Sequence, residues 1–271
     1  MAHLHRVCPL CGTDNKVRPG SKYSKGEWKI KECKNCSFVY LENPPPYAEL
    51  EENFAWEKTF AEETAFRRKR NPLLYWISTK NKEFKGKYLK RNKLRDLLKT
   101  LSIRGSVLEV GCAGGHILKS LGEGCVPFGI EISRQLARAA VKEIAGRGGE
   151  IINASSLDGL ARFEEGRFDC VIMSAFLEHE VHPKEVLKEA RRVLKPGGRL
   201  IIKVPNFGCL NRRVTGKNWC GFRYPDHVNY FTPSSLSAVL KGAGFSIEKF
   251  SFFDRLPTSD NMWLVASRPV R

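Results

Sequence analysis

No apolar run in this chain of 271 residues reaches the ~18 residues that a membrane-spanning helix needs. The first residues, Met-Ala-His-Leu-His-Arg, contain no hydrophobic stretch of the length found in a signal peptide. Acidic residues are scarce, with 29 of them against 46 basic ones and a net charge of +17. From these absences we expect a cytoplasmic protein without a membrane-spanning segment.

The excess of positive charge has two interpretations. It could attract nucleic acid or another anionic surface, or it could serve only solubility. Much of the charge is concentrated in one stretch, residues 67–99, and we favour solubility. A nucleic-acid partner is therefore left open but is not the expectation.

Nine cysteines are present, and four of them form two Cys-x-x-Cys pairs. The pairs are separated by 21 residues, which is typical of a zinc ribbon in a reducing compartment rather than of a disulfide framework. A redox role is the rival interpretation, but the presence of two pairs argues against it. The sequence predicts one structural zinc ion, held by Cys8, Cys11, Cys33 and Cys36 in a segment of residues 1–45. We expect this segment to have a core separate from that of the rest of the chain.

The most informative stretch is a glycine-rich turn, residues 111–115, which follows an apolar run that ends near Glu109. Its spacing is neither the G-x-G-x-x-G fingerprint nor the Walker pattern. A second apolar run carries Glu131 twenty-two residues later, where an acid can bind the hydroxyls of a ribose. A strand, a glycine turn and a helix in this order predict a nucleotide-like ligand against the backbone.

Beyond residue 103, predicted strands and helices alternate, which indicates a parallel sheet covered on both faces. Strands are predicted near 105–110, 126–130, 149–153, 168–174 and 199–204, and helices near 115–122, 133–146 and 183–194. Two final strands near 245–253 and 261–268 have no obvious helix between them, so we expect an antiparallel hairpin. Residues 46–100 are predicted to be a helical lid over a main domain of residues 101–271. The alternative role of the lid region is a surface for an anionic substrate or RNA.

Four ordered motifs, at 107–115, Glu131, 168–179 and 193–203, closely resemble those of class I S-adenosylmethionine-dependent methyltransferases. The resemblance covers about residues 100–271. It implies a Rossmann-like, seven-stranded, mostly parallel α/β sheet with a terminal antiparallel hairpin, and S-adenosylmethionine as cofactor. The residues that it implies for cofactor binding are Glu109, Gly111, Cys112, Ala113, Gly115, Glu131, Ile132, Asn153, Ala154, Ser155, Ser174 and Ala175. The family commonly has Asp in place of Asn153, and we expect binding to survive because an amide both donates and accepts.

A long insertion, residues 205–233, follows the fifth strand of the predicted domain, where α/β enzymes place substrate contacts. Residues 224–231, Tyr-Pro-Asp-His-Val-Asn-Tyr-Phe, resemble a segment of zinc-containing sugar C-methyltransferases in which a His and a Tyr serve as base and helper. The resemblance implies that His227 is the catalytic base and Tyr224 its helper. The alternative is that His227 and Tyr230 only anchor the loop. These 271 residues do not include the large further domain of those enzymes.

The function predicted from the sequence is methyl transfer from S-adenosylmethionine to a small molecule, such as a sugar, a nucleotide-sugar or a related metabolite. One alternative is a zinc-ribbon RNA methyltransferase, although the chain lacks a clear Asn/Asp-Pro-Pro-Tyr motif. A second alternative is a non-catalytic interaction module on the same fold. The acceptor atom and the oligomeric state stay open.

Overall fold

The structure is a computed structural model that describes residues 5–46 and 93–270, together with the isolated positions 65, 69 and 80. Its strands are β1 (Ile30–Glu32), β2 (Val39–Leu41), β3 (Gly105–Val110), β4 (Cys125–Glu131), β5 (Glu150–Asn153), β6 (Phe168–Ser174), β7 (Leu194–Pro205), β8 (Asn229–Tyr230), β9 (Ser246–Lys249) and β10 (Asn261–Ser267). Its α-helices are α1 (Lys93–Thr100), α2 (His116–Lys119), α3 (Arg134–Glu143), α4 (Ser156–Ala161), α5 (Pro183–Val193), α6 (Leu210–Thr215) and α7 (Pro233–Gly242). Within that part of the chain, no helix combines the length and the apolar character needed to cross a membrane.

Seven strands form the main sheet, in the order β5-β4-β3-β6-β7-β10-β9. Neighbours from β5 to β7 run parallel, whereas β10 runs antiparallel to both β7 and β9. This topology confirms the predicted Rossmann-like sheet with a terminal antiparallel hairpin. The carboxyl ends of β3, β4, β5 and β6 meet at one edge, called here the carboxyl edge, and this edge carries the candidate site.

Helices cover both faces of the sheet because the central strands are apolar on both sides. On one face, α5 packs Val186 and Leu187 into a cluster that includes Val171 of β6. On the other face, Leu94 of α1 and Ala140 of α3 pack into a second cluster. The two clusters hold the sheet rigid, so the loops at its carboxyl edge start from fixed positions.

The predicted helical region of residues 46–100 is described only in part. Helix α1 forms its last eight residues, with Leu94 and Leu97 buried against the main sheet. The rest of that prediction, and the greater part of the basic stretch 67–99, lie outside the described residues.

Three α-helices were not predicted from the sequence, namely α4, α6 and α7. The start of α7 carries a readable signal, because Thr232 and Ser235 form a capping box and Pro233 occupies the first turn. Helix α4 begins after Ser155, whose side chain accepts a hydrogen bond from the backbone of Asp158. Its six residues are too short for a clear helical period, which explains why α4 escaped the sequence analysis.

The N-terminal segment does not have a core of its own, contrary to our expectation of separate cores. Strand β2 pairs with β8 of the insertion, so β1, β2 and β8 form a small three-stranded sheet. Cys8, Phe38 and Tyr40 belong to the same buried cluster as residues of the main sheet. A segment of about 40 residues buries too little apolar surface to stand alone, and here it completes its core against the larger domain.

Candidate functional site

The glycine-rich turn follows β3 directly at the carboxyl edge. Gly111 and Gly115 have φ angles of +73° and +79°, which favour glycine. A Cβ at Gly111 would lie 2.7 Å from Cδ2 of Phe176, and one at Gly115 would lie 2.9 Å from Cα of Ala140. Gly115 therefore allows α2 to approach α3, and Gly111 allows the loop after β6 to approach the turn.

Glu109 is buried beside this turn, with 2% of its surface exposed. Among the described residues, its Oε2 atom has no hydrogen-bond partner. Burial, and after it the negative charge of Glu131, raise the pKa of this carboxyl well above its ordinary value. A buried carboxylate oxygen without a partner fits a cationic ligand group, such as the ammonium of an amino-acid arm.

Glu131 at the end of β4 ties the turn to the second strand. Its Oε2 accepts a hydrogen bond from the amide of Ala113 at 2.8 Å, and its Oε1 accepts one from the amide of Ser133 at 2.9 Å. These two contacts fix the carboxylate in place at the carboxyl edge.

Asn153 lies opposite Glu131 in the sheet register and explains why an amide replaces the family's acid. Its Nδ2 donates to the carbonyl oxygens of Glu131 at 2.9 Å and Ile132 at 2.8 Å. A carboxylate could not make these two contacts because it has no donor when ionised. Asn153 therefore shapes the loop after β4 with its nitrogen and keeps its Oδ1 as an acceptor.

Other predicted cofactor residues take part through their backbone or lie at the edge of the site. The Cys112 thiol points into the core, since a Cβ at Gly129 would lie 2.6 Å from its Sγ. The Ser155 hydroxyl donates to the carboxylate of Asp158 at 2.7 Å, which commits it to the cap of α4. Ala175 is exposed at the end of β6 and has a φ of +55°.

Two histidines meet at the acceptor side of the site, His179 from the loop after β6 and His227 from the insertion. Nδ1 of His227 donates to the carbonyl of Gly221 at 2.8 Å, and Nδ1 of His179 donates to the carbonyl of Asp226 at 2.9 Å. A carbonyl only accepts, so both Nδ1 atoms carry a proton. His227 is nearly buried, whereas a quarter of the His179 side chain is exposed.

The carboxyl groups of Glu178 and Asp226 lie beside these two rings, and burial raises the pKa of Glu178 above its ordinary value. One carboxylate oxygen of Glu178 and one ring nitrogen of each histidine lie within 4.8 Å of one another. Asp226 Oδ1 lies 3.7 Å from Nδ1 of His179, and its Oδ2 pairs with Arg223 at 2.7 Å. From the sequence, His179 was expected to cap a helix or to pack. Its contact with Asp226 joins residues that are far apart in the chain.

Tyr224 does not direct its hydroxyl to the histidines. The hydroxyl donates to the carbonyl of Tyr23, and burial raises its pKa above the ordinary value. Tyr230 is different, because its buried hydroxyl has no hydrogen-bond partner among the described residues. Burial also raises the pKa of Tyr230 well above its ordinary value, so this hydroxyl is a donor rather than a base.

The two Cys-x-x-Cys turns bring their four sulfurs together. The Sγ atoms of Cys8 and Cys36 are 3.5 Å apart, those of Cys11 and Cys33 are 3.4 Å apart, and all four lie within 4.8 Å of one another. Tetrahedral zinc with bonds of about 2.3 Å places its sulfur ligands about 3.8 Å apart. The donor set and its spacing therefore fit zinc.

The N-terminal segment also contacts the histidine side of the site through Arg6. Its guanidinium is buried and donates to the carbonyl oxygens of Val181 at 2.5 Å and Val228 at 3.1 Å. It also donates to the side-chain oxygen of Asn229 at 2.9 Å. Burial lowers the pKa of Arg6 to about 10, so it stays charged at neutral pH.

A protein-family profile described as a methyltransferase domain matches residues 82–249. A ubiquinone biosynthesis O-methyltransferase of Xanthomonas axonopodis pv. citri is 28% identical over 153 residues, which cover 54% of this chain and 64% of that protein. The chain thus matches less than two thirds of that relative's length.

Solved structures with similar folds include more than one activity. The [4+2]-cyclase SpnF superposes with a TM-score of 0.51 at 19% identity, covering 66% of this chain and 82% of its own. An S-adenosylmethionine-dependent methyltransferase from Mesorhizobium loti superposes with a TM-score of 0.53 at 16% identity, covering 64% and 96%. At these identities the likeness concerns the fold alone.

Proposed function

This chain belongs to the methyltransferase domain family, and we propose that it is an S-adenosylmethionine-dependent methyltransferase with a small-molecule acceptor. The observation that carries the proposal is the partnerless Oε2 of Glu109, buried beside the glycine turn. A buried carboxylate of this kind is costly unless a positive group neutralises it, and the ammonium of the cofactor's amino-acid arm is such a group.

The remaining cofactor contacts follow from the fixed atoms at the carboxyl edge. Glu131 would accept the ribose hydroxyls, and Oδ1 of Asn153 would accept a hydrogen bond from the adenine end. Backbone atoms of the turn at 111–115 and of Ser174 and Ala175 would line the amino-acid arm. When bound, S-adenosylmethionine supplies an electrophilic methyl group, and the protein orients it.

His227 is the proposed base on the acceptor side. Its Nδ1 is held by Gly221, so its Nε2 is the atom that would take a proton from the acceptor. His179, whose ring lies against His227, would stabilise the developing positive charge together with Asp226. Tyr224 remains the helper proposed from the resemblance, but its hydroxyl would have to leave the carbonyl of Tyr23 to act directly.

The acceptor class is proposed to be a sugar, a nucleotide-sugar or a related metabolite. The Xanthomonas relative is described as an O-methyltransferase, which favours a hydroxyl as the acceptor group. The four cysteines are proposed to hold one structural zinc ion. Two Cys-x-x-Cys pairs at zinc spacing are typical of a reducing compartment, and a cytoplasmic location is proposed on that ground.

Mass spectrometry of the purified protein for a co-purifying ligand tests the cofactor assignment first. A radiolabelled methyl screen against nucleotide-sugars and against RNA then tests the reaction and the acceptor class. We expect S-adenosylmethionine or its demethylated product in the first experiment and label on a small molecule in the second. Cofactor binding without transfer to any acceptor would favour a different reaction on this fold, and label on RNA would favour the RNA enzyme.

A further inference from the structure

Arg6 joins the four-cysteine segment to the histidine side of the site. It lies two positions before Cys8, and only 7% of its surface is exposed. Its backbone amide donates to the carbonyl of Glu42 at 2.8 Å, which fixes the residue within the N-terminal segment. The guanidinium extends beyond that segment and donates hydrogen bonds to residues of the main domain.

The carbonyl oxygens that accept hydrogen bonds from the guanidinium belong to the two loops that carry the histidines. Val181 lies two positions after His179, and Val228 is the residue next to His227. Arg6 donates to both carbonyl oxygens, and the two contacts span 175 and 222 positions of the chain. One side chain therefore bridges the two loops.

Asn229 completes the connection. Its Oδ1 accepts from Arg6 at 2.9 Å, and its Nδ2 donates to the carbonyl oxygens of Leu177 at 2.9 Å and Glu180 at 2.6 Å. The backbone amide of Asn229 donates to the carbonyl of Glu178 at 3.0 Å. The loop after β6 and the insertion thus form one hydrogen-bonded unit around the Arg6 guanidinium.

The cysteine segment holds this unit from a second direction. The amide of Leu41 in β2 donates to the carbonyl of Val228 at 2.9 Å, so this oxygen accepts from both Leu41 and Arg6. Metal binding supplies folding energy to segments as small as this one. A change at the four cysteines, such as loss of the metal, can therefore affect Val228, the residue next to His227. It would act through the two hydrogen bonds that the carbonyl oxygen of Val228 accepts.

We propose that Arg6 is a positioning residue that couples the four-cysteine site to His179 and His227. The proposal rests on the function proposed above for these histidines, and it concerns how they are held. The coupling is expected to be weaker at the cofactor half of the site, where the contacts of Glu131 with Ala113 and of Asn153 with Glu131 lie within the main sheet and its loops. Loss of the metal or of the guanidinium should thus disturb the histidines more than cofactor binding.

The test uses the full chain with metal bound and follows the histidine side chains by nitrogen NMR. Arg6→Ala should shift or broaden the Nδ1–H signals of His179 and His227, assigned by single His→Gln variants. The signal of His116, on the cofactor turn, should not move. Arg6→Lys should restore the two signals in part, because an ammonium can donate to the same carbonyl oxygens but lacks the planar fork.

A second measurement separates positioning from folding. S-adenosylhomocysteine affinity by calorimetry should change by less than the roughly fivefold that marks a weak coupling between sites. If Arg6→Ala does not fold, chelation of the wild-type protein should move the same two signals and leave His116 in place. Unmoved His179 and His227 signals in folded Arg6→Ala, or an equal disturbance of His116, would overturn the proposal. Absence of S-adenosylhomocysteine binding in the wild type would instead count against the proposed function, since the NMR readout does not need the ligand.

Discussion

The ring of His179 stands edge-on to the ring of His227, with centroids 4.6 Å apart and planes at 88°. The two residues come from different loops, and each donates its Nδ1 proton to a backbone carbonyl. The contact therefore depends on the placement of both loops.

Replacing His227 by Ala should keep cofactor affinity and lower turnover by about 10²–10⁴-fold, the usual contribution of a positioned base. Tyr224→Phe should lose less, because the Tyr224 hydroxyl donates to the carbonyl of Tyr23. Turnover is measured with an acceptor verified in the radiolabel screen. His182→Ala is the matched control, since His182 is exposed three positions from His179.

Combining the His179 and His227 changes tests whether the pair acts as a unit. The double variant should then be little slower than the slower single variant, as for groups that share one catalytic task. Wild-type turnover in His227→Ala would return His227 to the role of a loop anchor, with the enzyme working by proximity and orientation.

Cofactor affinity should depend on pH through Glu109. Its pKa in the free protein is raised by burial and by Glu131, so the carboxyl stays protonated above its ordinary range. A bound ammonium favours the ionised form, so binding releases a proton and affinity should fall as the pH drops below the raised pKa. Calorimetry between about pH 5 and pH 8, in buffers of different ionisation enthalpy, measures the released proton.

Glu109→Gln is the isosteric control for this linkage. It should bind S-adenosylhomocysteine more weakly and without the pH dependence. The ligand-free variant should melt close to the wild-type temperature, because a protonated carboxyl and an amide are both neutral and similar in shape. A pH dependence that persisted in Glu109→Gln would assign the proton to another group.

Gly111→Val should abolish cofactor binding, because a Cβ at this position would lie only 2.7 Å from Cδ2 of Phe176. Gly111→Ala should therefore weaken binding by moving Phe176 and by the strain of a positive φ, which costs of order 1–3 kcal/mol.

Combining Gly111→Ala with Phe176→Ala separates the clash with Phe176 from the backbone strain at Gly111. Relief of the clash in the double variant should recover part of the affinity and leave only the backbone strain. If Phe176→Ala gives no recovery, the volume above Gly111 belongs to the ligand itself, and unaltered affinity in Gly111→Val would remove this turn from the cofactor site.

Elemental analysis should find one zinc ion per chain in protein prepared without chelator. Cys36→Ser should lose it, whereas Cys220→Ser should keep it, because Cys220 lies outside the four-cysteine cluster. Protein without stoichiometric zinc would defeat the metal assignment.

Removal of the metal by a chelator should destabilise more of the structure than the N-terminal segment. The reason is that β2 pairs with β8, and the segment shares its buried core with the main domain. Hydrogen exchange should rise in residues 5–46, 177–181 and 221–231 and stay low in β4 and α3. Exchange confined to residues 5–46 would restore the earlier expectation of two independent units.

We predict no tight, specific RNA binding. The basic stretch 67–99 lies mostly outside the described residues, so the expectation rests on the sequence. Any RNA complex should weaken by about 0.7 log units per tenfold salt for each contact to a single strand. A nanomolar complex with one RNA, measured at physiological salt, would favour an RNA methyltransferase over an enzyme with a small-molecule acceptor.

The sequence alone was sufficient for the main sheet and for the edge of it at which the predicted cofactor residues lie. Apolar runs mark the strands, and parallel strands place their carboxyl ends together, so Glu131 and Asn153 had to lie near the turn that follows Glu109. These residues lie close to the ends of strands, where the local sequence pattern determines where a residue is placed. Even here the pattern did not distinguish ligand contacts from packing, since Gly115 faces Ala140 and the Cys112 thiol faces the core.

Only the tertiary structure decided the acceptor half. The contact of His179 with Asp226 spans 47 positions, and that of Arg6 with Val181 spans 175. No periodicity encodes such contacts, because they depend on the path of two irregular loops and on the strand that β2 adds to β8. The N-terminal segment is too small to bury its own core, and this shortage of apolar surface brings the cysteine site against the histidines.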